Sequence, residues 1–180
     1  MKRIILAIDI QNEYITEGRP FHICSIQDSL RNAAMIITSA RLESIPVWHV
    51  KHEQTERIFV KGNPLTDFVD SCKPQKDEKV FSKDLYSCFS SKEFTESLAA
   101  EKPDEIIIIG YGSSMCCLCT TIEGIHRGYQ FMIVEDATAS KANGDISESE
   151  MHRSALNILK QYTKIIKTDE LIQGLCSEAS

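Results

Sequence analysis

Long apolar stretches are missing from this chain. The N-terminal run Ile4–Ile8 spans five residues before Asp9 interrupts it. A signal-peptide core takes about 7–15 apolar residues and a membrane-spanning helix about 20, so neither is expected. Basic runs are also missing, Lys2-Arg3 being the longest, and 26 acidic side chains outnumber 20 basic ones. That balance argues against nucleic acid or an anionic membrane surface as partner. No Pro/Gly-rich linker, internal repeat or low-complexity tract divides the sequence. The expectation is one domain over residues 1–180, soluble and cytoplasmic.

Apolar residues are plentiful at 42%, enough to fill a core without disulfide staples. Seven cysteines at 24, 72, 88, 116, 117, 119 and 176 form an odd set. With no export signal to accompany it, that count points to reduced thiols.

Strand-like and helix-like segments alternate. Arg3–Ile8, Ile45–Val50, a short stretch centred on Val80-Phe81, Glu105–Gly110, Gln130–Val134 and Lys164–Lys167 read as six strands. Their apolar character on both faces suits a parallel sheet covered by helices on either side. Between them, Ile26, Leu30, Ala33, Ile37 and Ala40 recur at helical spacing behind a Ser25/Asp28 capping pair. Phe94 and Leu98 follow Ser90/Glu93, and Met151, Ala155, Ile158 and Leu159 follow Ser147/Glu150. The alternation predicts an α/β fold with right-handed crossovers. The polar segment from His52 to Lys79 breaks the rhythm, and its length predicts a functional loop carrying a short helix.

Ligands of open α/β sheets bind beyond the carboxyl ends of the strands. Those ends bring Asp9, followed by Gln11 and Tyr14, toward Lys83 and toward the turn from Gly110 to Cys116. A strand, a glycine-containing turn and a helix start place Cys116 where unpaired N–H groups and the helix dipole favour a thiolate. An acid could accept the thiol proton and a lysine could hold both anions. Each residue also has a plain reading: a buried small side chain for Cys116, a turn cap for Asp9, a solvated surface group for Lys83. Cys116 and Cys119 form a Cys-x-x-Cys pair, which leaves a dithiol redox protein as an alternative. A non-catalytic binding member of the fold is another.

Three segments in order carry a resemblance. They are Ala7–Asn12, Lys83–Phe89, and Gly110–Cys116 with its continuation through Thr120-Thr121 and Arg127-Gly128-Tyr129 to Glu135–Ser140. The chain resembles the isochorismatase-like cysteine hydrolases, which include nicotinamidases, N-carbamoylsarcosine amidohydrolases and ureidoacrylate amidohydrolases. The resemblance implies a three-layer αβα, Rossmann-like sandwich with a six-stranded, mainly parallel sheet. It implies a catalytic triad of Asp9, Lys83 and Cys116, a cis peptide at Tyr111–Gly112, and a homo-oligomer acting on a small-molecule amide or carbamoyl substrate. The oxyanion would rest on backbone N–H groups of Gly112 and Cys116, with Gln11, Tyr14 and Tyr86 lining the substrate pocket. Two positions depart from the family pattern: Ser113, where threonine is usual, and Cys117, where a small apolar residue is usual. True isochorismatases lack the cysteine, so Cys116 argues against vinyl-ether cleavage. The metal site of nicotinamidases follows the second strand and contains an Asp that this chain lacks in Val50–Gln54. No metal or other cofactor is therefore expected, with His49 and His52 left as the residues to check.

Overall fold

A computed structural model of the chain describes residues 1–178. Six strands form one sheet: β1 (Arg3–Ile8), β2 (Val47–His52), β3 (Lys79–Lys83), β4 (Glu105–Tyr111), β5 (Phe131–Ala139) and β6 (Lys164–Ile166). Their order is β3-β2-β1-β4-β5-β6, and every pairing is parallel. The sheet is thus wholly rather than mainly parallel. The chain winds outward from β1 in one direction to β3, then returns to β4 on the other side of β1. That reversal opens a crevice between the ends of β1 and β4.

The helices are α1 (Asn12–Ile15), α2 (Ile26–Leu42), α3 (Lys92–Glu101), α4 (Leu118–His126), α5 (Glu148–Leu159) and α6 (Thr168–Glu178). Side chains alternate across the strands, so each face of the sheet makes its own core. Ile5, Ala7, Ile107 and Ile109 pack under α2 and α6. Ile4, Leu6, Ile106 and Ile108 face α3 and α5 through Phe94, Leu98, Leu156 and Leu159. The four consecutive isoleucines of β4 serve both cores, two to each.

Several local expectations shift by a residue or two. Strand β2 starts at Val47 and runs on to His52, because pairing with β3 continues to His52↔Lys83. The α3 cap is Ser91, whose hydroxyl accepts from the Phe94 N–H, and not Ser90. The Ser25/Asp28 box does not form, since Ser25 bonds instead to Glu148 across the fold. The Ser147/Glu150 box forms in full. In α5, Ala155 and Leu159 are buried as expected, but Leu156 is buried in place of Ile158, which is 44% exposed.

The segment from His52 to Lys79 holds two short 3₁₀ turns, Pro64–Thr66 and Asp70–Cys72. It is tied to α2 by Glu78, which accepts from Arg41 Nε at 2.8 Å and Arg41 Nη2 at 2.9 Å. Strand β5 carries a bulge: Ile108 pairs with Ile133, but Gly110 pairs with Thr138. The extra residues include Glu135, whose carbonyl accepts from the Thr138 hydroxyl at 3.1 Å and lies 3.0 Å from His152 Nε2.

Candidate active site

Asp9, the residue after β1, takes a left-handed conformation, φ 53°, that short polar residues tolerate better than others. Its N–H donates to the Val50 carbonyl, and its own carbonyl accepts from the Gln11 N–H, so the carboxylate turns back over the sheet. Across from it, Gly110 at the end of β4 has φ 112°, and a Cβ there would lie 2.0 Å from the Ile8 carbonyl oxygen. Only glycine lets the two strand ends close to this distance. The Tyr111–Gly112 peptide is cis. A five-residue π-helical turn, Ser113–Cys117, follows and leads directly into α4.

Lys83, the last residue of β3, reaches over β2 and β1 into this crevice. Its ammonium donates to Asp9 Oδ2 at 2.8 Å and lies 3.3 Å from Cys116 Sγ. It also donates to His52 Nδ1 at 3.1 Å and to the Leu85 carbonyl at 3.3 Å. Both side chains of the Asp9–Lys83 pair are fully buried. Burial alone would lower the lysine, but the Asp9 carboxylate and Cys116 more than offset it and hold the ammonium charged. Asp9 Oδ1 is buried without a hydrogen-bond partner among the described residues. That leaves a carboxylate oxygen beside the Cys116 thiol able to accept a hydrogen bond.

The surroundings of the thiol act against the helix start. Burial first, and the Asp9 carboxylate second, push Cys116 well above the ordinary cysteine range, and Lys83 only partly counters them. Cys116 is 4% exposed and lies beside the Asp9 carboxylate.

Cys116 lies in the wall of a cavity of about 340 Å³ that opens to solvent. Tyr14, Phe21 and Phe59 form an aromatic wall, with Tyr14 centred 5.8 Å from Phe21 and 5.6 Å from Phe59. Burial above all holds the Tyr14 phenol well above its usual range, so it stays a hydrogen-bond donor. Tyr86, 55% exposed, and Leu85, 63% exposed, stand at the mouth with Arg57. Gln11 is placed elsewhere. Its Nε2 donates to the carbonyls of His52 and Thr66, and its Oε1 accepts from the His52 N–H. The whole amide is used to brace β1 against β2 and the 3₁₀ segment.

Among the described residues, Asp9, His52 and Cys116 bring ligand-type atoms within 4.8 Å of one another. The Lys83 ammonium already lies within hydrogen-bonding distance of all three, so the positive charge such a cluster attracts is supplied by the chain. The two histidines do not cooperate. His49 and His52 have opposite parity on β2, and His49 Nε2 is bound to Glu78 Oε2 at 2.9 Å, away from the crevice. His52, which the sequence offered only as a metal ligand, instead accepts a hydrogen bond from Lys83. Burial, then Lys83, lower its pKa and keep it neutral. The wall residues Phe21 and Phe59 were not foreseen, and an aromatic in a polar loop is the one signal for them. The described cysteines are all free, with Cys119 exposed while Cys116 is buried. The side chain of Cys176 lies outside the described residues.

Residues 3–170 match the Isochorismatase domain family. The chain belongs to the isochorismatase family. Within it, the chain is 30% identical over 143 residues to an uncharacterized isochorismatase family protein of Bacillus subtilis, YddQ, covering 78% of this chain and 79% of that one. It is 23% identical to a maleamate amidohydrolase of Pseudomonas putida, over 97% and 87% of the two chains. A solved cysteine hydrolase from Pseudomonas syringae pv. phaseolicola superposes with a TM-score of 0.92 at 20% identity, covering 99% and 94%. This isochorismatase-family hydrolase therefore shares its whole architecture with that structure. No helix among the described residues is long and apolar enough to cross a membrane.

Proposed function

We infer that this isochorismatase-family hydrolase cleaves the C–N bond of a small amide or carbamoyl compound through a thioester on Cys116. The observation that carries the reading is the Lys83 ammonium, 2.8 Å from Asp9 and 3.3 Å from Cys116 in the wall of an open cavity. Asp9 takes the thiol proton as sulfur attacks the carbonyl carbon. The thiolate need exist only as it reacts, which accords with a thiol that burial and the Asp9 carboxylate push up. Lys83 stays charged and balances the negative charge shared between carboxylate and sulfur. Backbone N–H groups of Gly112 and Cys116 hold the oxyanion. Collapse of the tetrahedral adduct breaks the C–N bond, and the proton on Asp9 passes to the departing nitrogen. Water then attacks the thioester, Asp9 takes its proton, and the thiol returns as the acid product leaves.

The aromatic wall and its phenol donor suit a compact substrate with an acceptor near Tyr14, and Tyr86 closes over it from the mouth. The amidohydrolase among the relatives supports C–N rather than vinyl-ether chemistry. Six free cysteines among the described residues accord with a reducing cytoplasm. Exposed Leu85 and Tyr86 at one rim accord with assembly into a homo-oligomer.

The test is ammonia release from a panel of small amides and ureido acids. Cys116→Ala and Asp9→Asn should abolish the release that the wild type shows. Removing the base should cost about 10²–10⁴ in rate. Equal turnover by Cys116→Ala would overturn the reading.

A further inference from the structure

The turn that carries Cys116 is held from behind by groups that none of the chemistry above uses. Its backbone is wound wide: the Gly112 carbonyl accepts from both the Met115 N–H at 3.0 Å and the Cys117 N–H at 3.2 Å. Such π-helical turns are less regular than α-helix and depend on side-chain support. Two clamps supply it. Ser114 Oγ is 2.5 Å from Ser140 Oγ at the end of β5, and Ser113 Oγ is 2.8 Å from His152 Nδ1 on α5.

The second clamp has a defined direction. His152 Nε2 lies 3.0 Å from the Glu135 carbonyl, which can only accept, so Nε2 carries the proton. Nδ1 is then a lone pair, and the Ser113 hydroxyl must donate to it. Ser113 is 1% exposed, so no water stands ready to replace that bond. Burial keeps His152 in this neutral form. Helix α5 is itself anchored by its capping box and by buried Leu156 and Leu159. The Glu135 carbonyl in the β5 bulge thereby sets the tautomer that grips the nucleophile turn.

We propose that His152 is a positioning residue for Cys116, holding the turn through Ser113 with a tautomer fixed by the Glu135 carbonyl. It touches no reacting atom. The proposal rests on the amidohydrolase reading for its kinetic consequence, but not for its geometric one.

Two replacements separate the halves of the contact. His152→Asn puts an amide oxygen near the Nδ1 position, where it can accept from Ser113. His152→Gln puts an amide N–H near the Nε2 position, where it can serve Glu135 but not Ser113. The readouts are kcat and KM for the best amide of the panel, and the iodoacetamide rate at Cys116 followed by peptide mass spectrometry. His152→Asn should stay within about threefold of wild type, while His152→Gln loses about 10–100-fold in kcat at unchanged KM and alkylates more slowly. Equal behaviour of the two variants would mean that His152 only packs, and overturns the proposal. If His152→Gln does not fold, Ser113→Ala removes the same bond with little change in volume. It should show the same loss, and full activity with wild-type alkylation would also overturn the proposal. The alkylation arm needs no substrate. A wild type that hydrolyses no amide defeats the amidohydrolase reading alone, and the alkylation rates still decide the role of His152.

Discussion

At the scale of single residues, reactivity at Cys116 depends on neighbours more than on the thiol. Six described cysteines are free, yet among them only Cys116 has an ammonium 3.3 Å away and a carboxylate beside it. Iodoacetamide should label it ahead of the buried Cys72, Cys88 and Cys117. Cys119→Ala should keep activity while Cys116→Ala loses it. Loss of turnover on replacing either cysteine would instead point to dithiol chemistry. Lys83 gives a second, sharper expectation. It opposes the burial and the carboxylate that raise the Cys116 thiol. In Lys83→Met that opposition is gone, so the thiol rises further and the thiolate fraction at any given pH falls. The alkylation rate should drop, and its pH limb should move to higher pH. Asp9 is left buried without its partner, a change that typically costs about 3–5 kcal/mol of stability. An unchanged pH–rate curve in a folded Lys83→Met protein would mean that the lysine takes no part.

At the scale of elements, the site depends on strand ends that approach closely and on a loop pinned to a helix. Gly110 is where β4 meets β1, with no room for a methyl group against the Ile8 backbone. Gly110→Ala should lose more than about 3 kcal/mol, visible as a large fall in thermal midpoint, because the clash is with backbone that cannot rotate away. A midpoint equal to that of the wild type would show that the strand ends can part. The loop before β3 is held by Glu78. Burial alone would raise this carboxyl, but the Arg41 fork, the Gln75 N–H and His49 draw it down to about 2. Its folded-state pKa is therefore below the unfolded one. The sign of linkage follows: the stabilisation is full above about pH 4.5 and is lost as pH falls toward 2. Wild type should lose stability across that window in urea titrations, and Glu78→Gln should start lower and lose less. Parallel pH profiles for the two proteins would contradict it.

At the scale of the whole molecule, the proposed homo-oligomer would draw on the exposed pair Leu85 and Tyr86 at the mouth of the cavity that holds Cys116. Light scattering should give a mass above that of one chain, and Leu85→Asp should lower it. A monomeric wild type at micromolar concentration would remove the homo-oligomer from the reading. The two cores, one on each face of a wholly parallel sheet, keep the strand ends rigid enough to hold a lysine from β3 over the acid of β1. Those strands are two places apart in the sheet.

Local patterning carried the architecture. Apolar runs on both faces, helical spacing and the Ser147/Glu150 box determine strands, helices and layers, because burial and capping act over a few residues. Motif order was enough to single out Asp9, Lys83 and Cys116 as a set, since each ends or follows a strand. Tertiary structure alone decided the rest. Gln11, a pocket candidate by position, spends its amide on backbone groups 41 and 55 residues away. His49 and His52 part company because a strand turns alternate side chains to opposite faces. Burial and the Asp9 carboxylate push the Cys116 thiol up, against the pull of a helix start. Solvation, and partners distant in sequence, set those three outcomes. Neither is written into the spacing of residues along the chain.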